Sequence, residues 1–198
     1  MTDQAPTPEA NRATSSLSIP FQLGFGAGQI GGSILANTPA LIILFFMTDM
    51  LAIPPALAGL AVFLPKVWVI VFDPLMGRIS DHTTSRWGRR RPFILAGALG
   101  CGAGFYFLFD VPAFDTVTAR FIYMTVMFTV VSTAFSIFSV PYLAKAGELA
   151  PDYKGRTTIM AYRIAFQSIG ILIGIGLIRY LVEWGGGGLE GYTFMGAV

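Results

Sequence analysis

Cysteine, histidine and charged residues are all scarce in this chain. Its 198 residues include one cysteine, one histidine and only 12% charged residues. A single cysteine, Cys101, excludes an internal disulfide, and a single histidine, His82, supplies too few ligands for a zinc site. A soluble domain usually carries about 25% charged residues, so the low charge argues against an ordinary water-soluble fold.

The groupings of residues that carry catalysis are also missing. The sequence has no Ser/His/Asp set, no cluster of metal ligands and no nucleotide-binding loop. Its four glycines at 185–188 lack the lysine and the strand–loop–helix setting of a phosphate-binding loop. The net charge is only +2, and the positive residues cluster in two short loops between apolar segments. This distribution does not indicate nucleic-acid binding. The sequence therefore predicts neither an enzyme nor a metalloprotein.

Hydrophobic residues make up 54% of the chain and form long runs. Runs of about 18 or more apolar residues are candidate membrane spans. We predict an all-α polytopic membrane protein with a disordered cytoplasmic tail at 1–19 and a transmembrane bundle at 20–198. The predicted helices are about 21–47, 55–79, 93–109, 119–144, 157–182 and a partial one at 191–198. The last segment would rise only about 12 Å, whereas a span needs about 30 Å.

Positive charge is concentrated in two of the predicted loops. One cluster lies within 86–91 and the other within 145–156. Loops on the cytoplasmic side of a membrane are enriched in Lys and Arg. Both loops and the N-terminus are therefore predicted to be cytoplasmic, in a multi-pass protein of the cytoplasmic (inner) membrane.

Two charged residues lie inside the second apolar segment. Lys66 and Asp73 are seven residues apart, which places them on one helical face about 10 Å apart along the axis. A charge at the bilayer centre costs at least about 2.5–3.5 kcal/mol, so such residues usually face a hydrated interior. We predict that this pair binds a coupling cation or the solute. The alternatives are a structural ion pair, or a lysine that extends away from the membrane centre.

Polar and aromatic residues on the other segments are candidates for the lining of a hydrated cavity. The polar candidates recur at intervals of three or four residues, which places them on one face of a helix. The aromatic candidates have rings that could stack on a sugar. The candidates are Gln29, Ser33, Asn37, Trp68, Ser139, Tyr142, Arg163 and Gln167. A serine can instead bond to its own helix, and aromatic rings are often simply packed.

The stretch 73–93, DPLMGRISDHTTSRWGRRRPF, resembles the signature loop of the glycoside–pentoside–hexuronide:cation symporters, the melibiose-permease branch of the major facilitator superfamily. The segments LPKVW at 64–68 and VPYLAKAGELAPDYKGRT at 140–157 resemble the same family. The resemblance covers about residues 20–198. It implies that this chain is the amino-terminal six-helix half of a twelve-helix transporter, cut within its sixth helix. The missing carboxyl-terminal half would complete the solute site, and the two halves would move against each other in alternating access.

The resemblance also implies a cytoplasmic gate in the two basic loops. Acidic and basic side chains there would pair with each other, and would pair with the missing half when the inward side is closed. The implied gate residues are Gly77, Asp81, Arg86, Gly88, Arg89, Arg90, Glu148, Asp152 and Arg156. The alternative is that these residues only set the topology.

Three positions depart from the sodium-coupled sugar members of that family. Acids of those members are replaced here by Val69, Gly31 and Ser139. Two carboxylates make a good sodium site, whereas one carboxylate beside a lysine does not. We therefore predict a secondary active symporter of a sugar or glycoside, with H⁺ favoured over Na⁺ as the coupling cation and no other cofactor. The alternatives are a transporter of an amphipathic non-sugar solute and a non-transporting membrane subunit.

Overall fold

The computed structural model describes residues 24, 27–28, 30–34, 42–86, 88–149 and 153–197, with the backbone alone at 146–149 and 153–156. The described part of the chain is all helical, as predicted. Its α-helices are α1 (Pro55–His82), α2 (Arg91–Phe109), α3 (Val117–Leu149), α4 (Tyr153–Trp184) and α5 (Gly188–Ala197). A short π-helix, Phe46–Met50, precedes α1. Residues 1–19 lie outside the described residues.

Four of the described helices are long and apolar enough to cross a membrane. They are Pro55–His82, Arg91–Phe109, Val117–Lys145 and Thr157–Trp184, with mean hydropathies between 1.7 and 2.0. Large apolar side chains point outward from them: Ile70 on α1 is 73% exposed and Leu172 on α4 is 72% exposed. Exposed aliphatic surface of this kind is stable against lipid and costly in water.

Glycines allow α2 to lie directly against α3. A Cβ atom at Gly97 would contact the backbone nitrogen of Phe138 and lie 2.8 Å from its Cα atom. One at Gly104 would lie 2.9 Å from Cγ2 of Val131. Small residues at such positions let membrane helices approach until their backbones touch. The contact fixes the rotation of α3, and therefore which face α3 turns toward α1 and α4.

An aromatic cluster closes the end of the bundle that lies far from the basic loop 83–90. The ring of Phe46 lies 5.2 Å from that of Phe109 and 4.9 Å from that of Tyr192, measured between centroids. Phe105 stacks obliquely on Phe109 at 5.1 Å. Edge-on and offset ring pairs add about 0.5–1.5 kcal/mol beyond their buried area. The cluster joins the π-helix, α2 and α5 into one apolar core.

Arg120 ties the loops together at the same end. Its Nη1 donates to the carbonyl of Leu51 and its Nε donates to the carbonyl of Phe114, both at 3.0 Å. Carbonyls at the ends of helices lack intrahelical donors, and a charged donor satisfies them well. Arg120 therefore acts as a structural clamp between the loops that precede α1 and α3.

We predict that Gly97→Ala destabilises the protein while Gly102→Ala does not. The added methyl group at Gly97 would overlap the backbone of Phe138, and overpacking of this kind costs about 1–3 kcal/mol. Gly102 lies on the same helix and has no atom within 4 Å of its Cβ position, so it is the matched control. Thermal unfolding in detergent measures both variants. Equal melting temperatures for the two would contradict the close contact between α2 and α3.

Candidate functional site

A cavity of about 340 Å³ lies between α1, α3 and α4. Its polar lining consists of residues from three helices. They are Lys66 and Asp73 from α1, Ser132, Ser136 and Ser139 from α3, and Arg163 and Gln167 from α4. The apolar part of the lining is Val69, Phe128, Val131, Phe135, Val140 and Leu143. We call this space the polar cavity.

Each α1 charge in the polar cavity is adjacent to a proline. Pro65 precedes Lys66 and Pro74 follows Asp73, and both prolines lie inside the helix. A proline cannot donate a backbone hydrogen bond, so the carbonyls four residues earlier lose their intrahelical donor. Membrane helices tolerate such breaks where neighbouring helices, side chains or ordered water supply the missing partner. The sequence thus weakens α1 beside the two charged side chains that line the polar cavity.

Asp73 has an oxygen that the described residues leave unsatisfied. Its Oδ1 atom is buried and accepts no hydrogen bond from any described residue. Leaving a buried acceptor unpaired costs about 1–3 kcal/mol, and more when the group is charged. The site can lower this cost by binding a proton, a cation or a donor group of a solute. Asp73 therefore has the geometry of a binding group.

Lys66 interacts with an aromatic ring in the same cavity. Its Nζ atom lies 6.0 Å from the centroid of the Phe128 ring, at the outer range of a cation–π contact. Within the described part of the chain, Lys66 and Asp73 form no ion pair with each other. Their shared lining of the cavity agrees with the one-face prediction, but the structural ion pair that we considered as an alternative is not formed.

Residues of α3 reach the polar cavity from one helical face. Phe128, Ser132, Phe135 and Ser139 follow each other at intervals of three or four residues, which is the spacing of one face. Ser136 is 2% exposed and joins them. Neither phenylalanine is among the candidates taken from the sequence, although their spacing from Ser132 and Ser139 was a signal for them.

The structure places Trp68 outside the polar cavity. Its Nε1 donates to Oγ1 of Thr133 at 3.0 Å, and its ring stacks on Phe72 at 5.9 Å. It lines a separate apolar groove of about 470 Å³ between α1, α2 and α3. Trp68 follows Lys66 by two residues, and a rotation of about 100° per residue turns it to the other side of α1.

Two further candidates lie at the contact of the first apolar segment with its neighbours. Tyr142 is buried, stacks on Phe138 at 5.5 Å, and its hydroxyl would lie 3.3 Å from a Cβ atom at Gly28. Ser33 is fully buried, and its Cβ would lie 2.9 Å from a Cβ atom at Gly170 of α4. Both therefore pack helix against helix. Gln29 and Asn37 lie outside the described residues.

The basic loop 83–90 is joined to the end of α1 by an ion pair. Arg90 Nη2 donates to Asp81 Oδ1 at 2.6 Å, with 10% of the arginine side chain and 52% of the aspartate side chain exposed. Gly88 has a φ of +96°, a conformation that glycine adopts at little cost. These two features hold the loop in a compact turn.

The other gate candidates are distributed around this turn. Gly77 faces Val140 of α3, with a Cβ position 3.8 Å from Cγ1. Arg86 and Arg89 are exposed. Asp152 and the side chains of Glu148 and Arg156 lie outside the described residues. The structure therefore describes the gate candidates of the first basic loop but not those of the second.

Several apolar spans around a cavity lined by charged side chains are typical of a multi-pass membrane protein of the transporter class. The chain belongs to the MFS/sugar transport protein family, which it matches over residues 24–198. This is a family of symporters and not of enzymes, and the match confirms the family resemblance seen in the loop motifs.

Three relatives show the range of the family. The chain is similar to an uncharacterized symporter of Synechocystis sp., with 35% identity over 86% of this chain and 32% of the relative. It is 28% identical to the inner membrane symporter YicJ of Escherichia coli, over 92% of this chain and 39% of the relative. It is also 28% identical to the sphingosine-1-phosphate transporter MFSD2B of Mus musculus, over 84% and 34% respectively. The chain thus spans about a third of the length of these relatives.

We predict that water-soluble maleimide labels a cysteine in the polar cavity but not one in the apolar groove that Trp68 lines. Ser139→Cys and Gln167→Cys test the cavity, and Val126→Cys and Val130→Cys test the groove, all in a Cys101→Ser background. A thiol needs water to form the reactive thiolate, and hydrocarbon does not supply it. The measurement is labelling in native membranes, normalised to labelling after denaturation. Equal labelling of the two sets would contradict the predicted difference in hydration, and weak labelling of both would show that the polar cavity is not hydrated.

Proposed function

We propose that this chain forms part of a secondary active symporter that moves a sugar or glycoside across the cytoplasmic membrane by alternating access, driven by protons. The observation that carries the proposal is the polar cavity, which combines three charged side chains with an apolar wall inside a membrane bundle. Charged residues at this depth are costly and mark solute or ion pathways. Family membership supports transport, and the description of the family supports a sugar.

Asp73 is the proposed coupling group. Its buried oxygen without a hydrogen-bond partner among the described residues supports binding of a proton or a cation. A sodium ion prefers several oxygen ligands, and the position that carries a second acid in sodium-coupled relatives is Val69, which lines the same cavity. A site with one carboxylate and two cationic side chains favours a proton over sodium. Lys66 is proposed to modulate the charge of Asp73 across the cavity.

The remaining candidates have proposed roles around this centre. Arg163, Gln167 and Ser139 line the cavity and are proposed to hydrogen-bond the solute. The turn closed by Asp81 and Arg90 is proposed to form part of a cytoplasmic gate. In this arrangement the basic loops and the N-terminus lie in the cytoplasm, because Lys and Arg are retained on that side.

The solute has a second candidate class. The similarity to a sphingosine-1-phosphate transporter favours an amphipathic molecule, and Phe128, Phe135 and Leu143 give the cavity an apolar wall that suits one. Ligand-induced thermal stabilisation of the purified full-length protein separates the classes. Stabilisation by glycosides alone would reject the amphipathic solute, and stabilisation by lysolipids alone would reject the sugar.

We predict that Asp73→Asn abolishes proton-driven accumulation of the solute but leaves exchange of solute across the membrane in place. Asparagine keeps the size of the side chain but cannot carry the proton whose gradient drives uptake. The measurement is uptake of radiolabelled glycosides by reconstituted vesicles under an imposed pH gradient, with counterflow as the exchange readout. Asp115→Asn, at an exposed loop position, is the control and should accumulate normally. Full accumulation by Asp73→Asn would contradict the coupling role.

A further inference from the structure

We propose that the apolar groove between α1, α2 and α3 binds an acyl chain of an anionic phospholipid, whose phosphate group is held by Arg78 and Arg91. The lipid belongs to the leaflet that borders the basic loop 83–90. This site goes beyond the proposed function, because it lies outside the polar cavity and does not depend on which solute the protein moves.

The polar side chains of the groove already have partners within the bundle. Trp68 Nε1 donates to Oγ1 of Thr133 at 3.0 Å, and Thr133 donates in turn to the carbonyl of Thr129 at 2.7 Å. Thr129 and Thr125 likewise donate to carbonyls four residues earlier on α3. The rest of the lining is Ala, Gly, Val and Ile. A space whose polar groups are satisfied has nothing to hold water in place, so it suits an apolar occupant.

The shape of the groove matches a single acyl chain. Its lining on α3 extends from Thr125 to Ile137, twelve residues that rise about 18 Å. One leaflet of a bilayer contributes about 15 Å of hydrocarbon. The floor is formed where Gly100 meets Ala134, and both are too small to fill the space above them. The ring of Trp68, which is 47% exposed, forms one wall. An extended chain can therefore lie along the groove.

Arg91 lies just beyond the end of the groove that is nearest the basic loop. The lining on α2 begins at Ala96, five residues after Arg91, which separates the two by about 7.5 Å along the axis. Ala96 is level with Ile137 of α3, because the residues that follow them, Gly97 and Phe138, are in contact. Arg91 is exposed and is therefore placed to bind a group above the end of the groove.

Arg78 reaches the same height from α1. The residue before it, Gly77, faces Val140, which lies one turn beyond Ile137 on α3. Arg78 is thus about 6 Å beyond the last lining residue of α3. Its side chain is exposed. Two arginines on different helices therefore flank one end of the groove at nearly equal heights.

The charge around this end of the groove suits an anionic lipid. Residues 74–93 contain five arginines and one carboxylate, Asp81, which is paired with Arg90. Basic side chains beside the membrane attract anionic lipids, and guanidinium groups match the geometry of a phosphate. A phospholipid carries its phosphate outside the hydrocarbon and its chains inside it. Its phosphate at Arg78 and Arg91 places a chain at the entrance of the groove.

The groove and the polar cavity lie on opposite faces of α3. Val126 and Val130 line the groove, whereas Phe128 and Ser132 line the polar cavity. Each pair is offset by two residues, a rotation of about 200° around the helix. A chain in the groove would therefore support α3 from the side away from the polar cavity, and its binding can be measured without occupying that cavity.

Quenching of Trp68 fluorescence by lipids with brominated acyl chains tests the proposal. The full-length protein is reconstituted in mixtures of phosphatidylcholine and phosphatidylglycerol, with bromine on one lipid or the other. The Trp68 signal is the difference between the protein and its Trp68→Phe variant. We expect brominated phosphatidylglycerol to reach half-maximal quenching at a mole fraction at least about fivefold below that of brominated phosphatidylcholine, the preference that one arginine near an anionic lipid supplies.

Substitutions at the two ends of the proposed contact separate the phosphate from the acyl chain. Arg78→Gln combined with Arg91→Gln should abolish the preference for phosphatidylglycerol, and lysine at both positions should retain it. Arg179→Gln, at an exposed position on α4, is the control. Ala96→Phe should fill the groove and weaken quenching by both lipids, whereas Leu99→Phe, at an exposed position on the same helix, should not.

Each outcome decides the proposal. A preference that is lost in the double glutamine variant, with weaker quenching in Ala96→Phe, supports it. Equal quenching by the two lipids, or a preference that survives the double glutamine variant, would overturn it in favour of ordinary bilayer lipid. An absence of quenching by either lipid would overturn it by showing that protein covers the groove. Melting temperatures show which variants are folded. If the double variant is not, Arg91→Gln alone should lower the preference, and an unchanged preference would overturn the proposal.

Discussion

The cost of placing charged side chains within a membrane governs the rest of this structure. Lys66, Asp73 and Arg163 lie in spans whose outer faces are aliphatic, so they are stable only where they share a polar space. The three helices that carry charge or serine hydroxyls therefore turn those faces toward one another. The exposed surfaces of the same helices are rich in Ile, Leu and Val, and the hydrophobic effect adds little to helix association within a membrane.

Close backbone packing supplies what the hydrophobic effect does not. Gly97 and Gly104 let α2 contact the backbone of α3, and this contact sets the rotation of α3 about its axis. The same rotation directs Ser132, Ser136 and Ser139 into the polar cavity. At the far end, the aromatic cluster around Phe46 and Phe109 joins the π-helix, α2 and α5. The cavity is thus a consequence of contacts made by residues that do not line it.

Much of this arrangement follows from sequence reasoning, and the exceptions have physical causes. Hydrophobic run length predicts the membrane helices, because the bilayer requires it, and the cost of burial predicts that Lys66 and Asp73 face inward. The predicted and observed ends of the helices differ little. For example, α3 continues to Leu149, beyond the predicted 144, because polar residues can extend a helix past the hydrocarbon. Trp68 lies on another side of α1 from Lys66, and its selection as a cavity candidate rested on its chemistry and not on its angle on the helix. The periodicity of the sequence indicates which face of a helix is polar. It does not indicate which helices pack together around the cavity, because that depends on contacts between helices.

The path from the cavity to the basic loop runs along one helix. Asp73 and Asp81 are eight residues apart on α1, about 12 Å along its axis, and Pro74 lies between them. Proline is a common origin of bends in helices, so the segment that carries the Asp81–Arg90 pair can shift relative to the segment that carries Lys66. A change of charge at Asp73 would act directly beside that proline. A single helix would then transmit the state of the polar cavity to the turn that closes the loop, without requiring a chain of intermediate side chains.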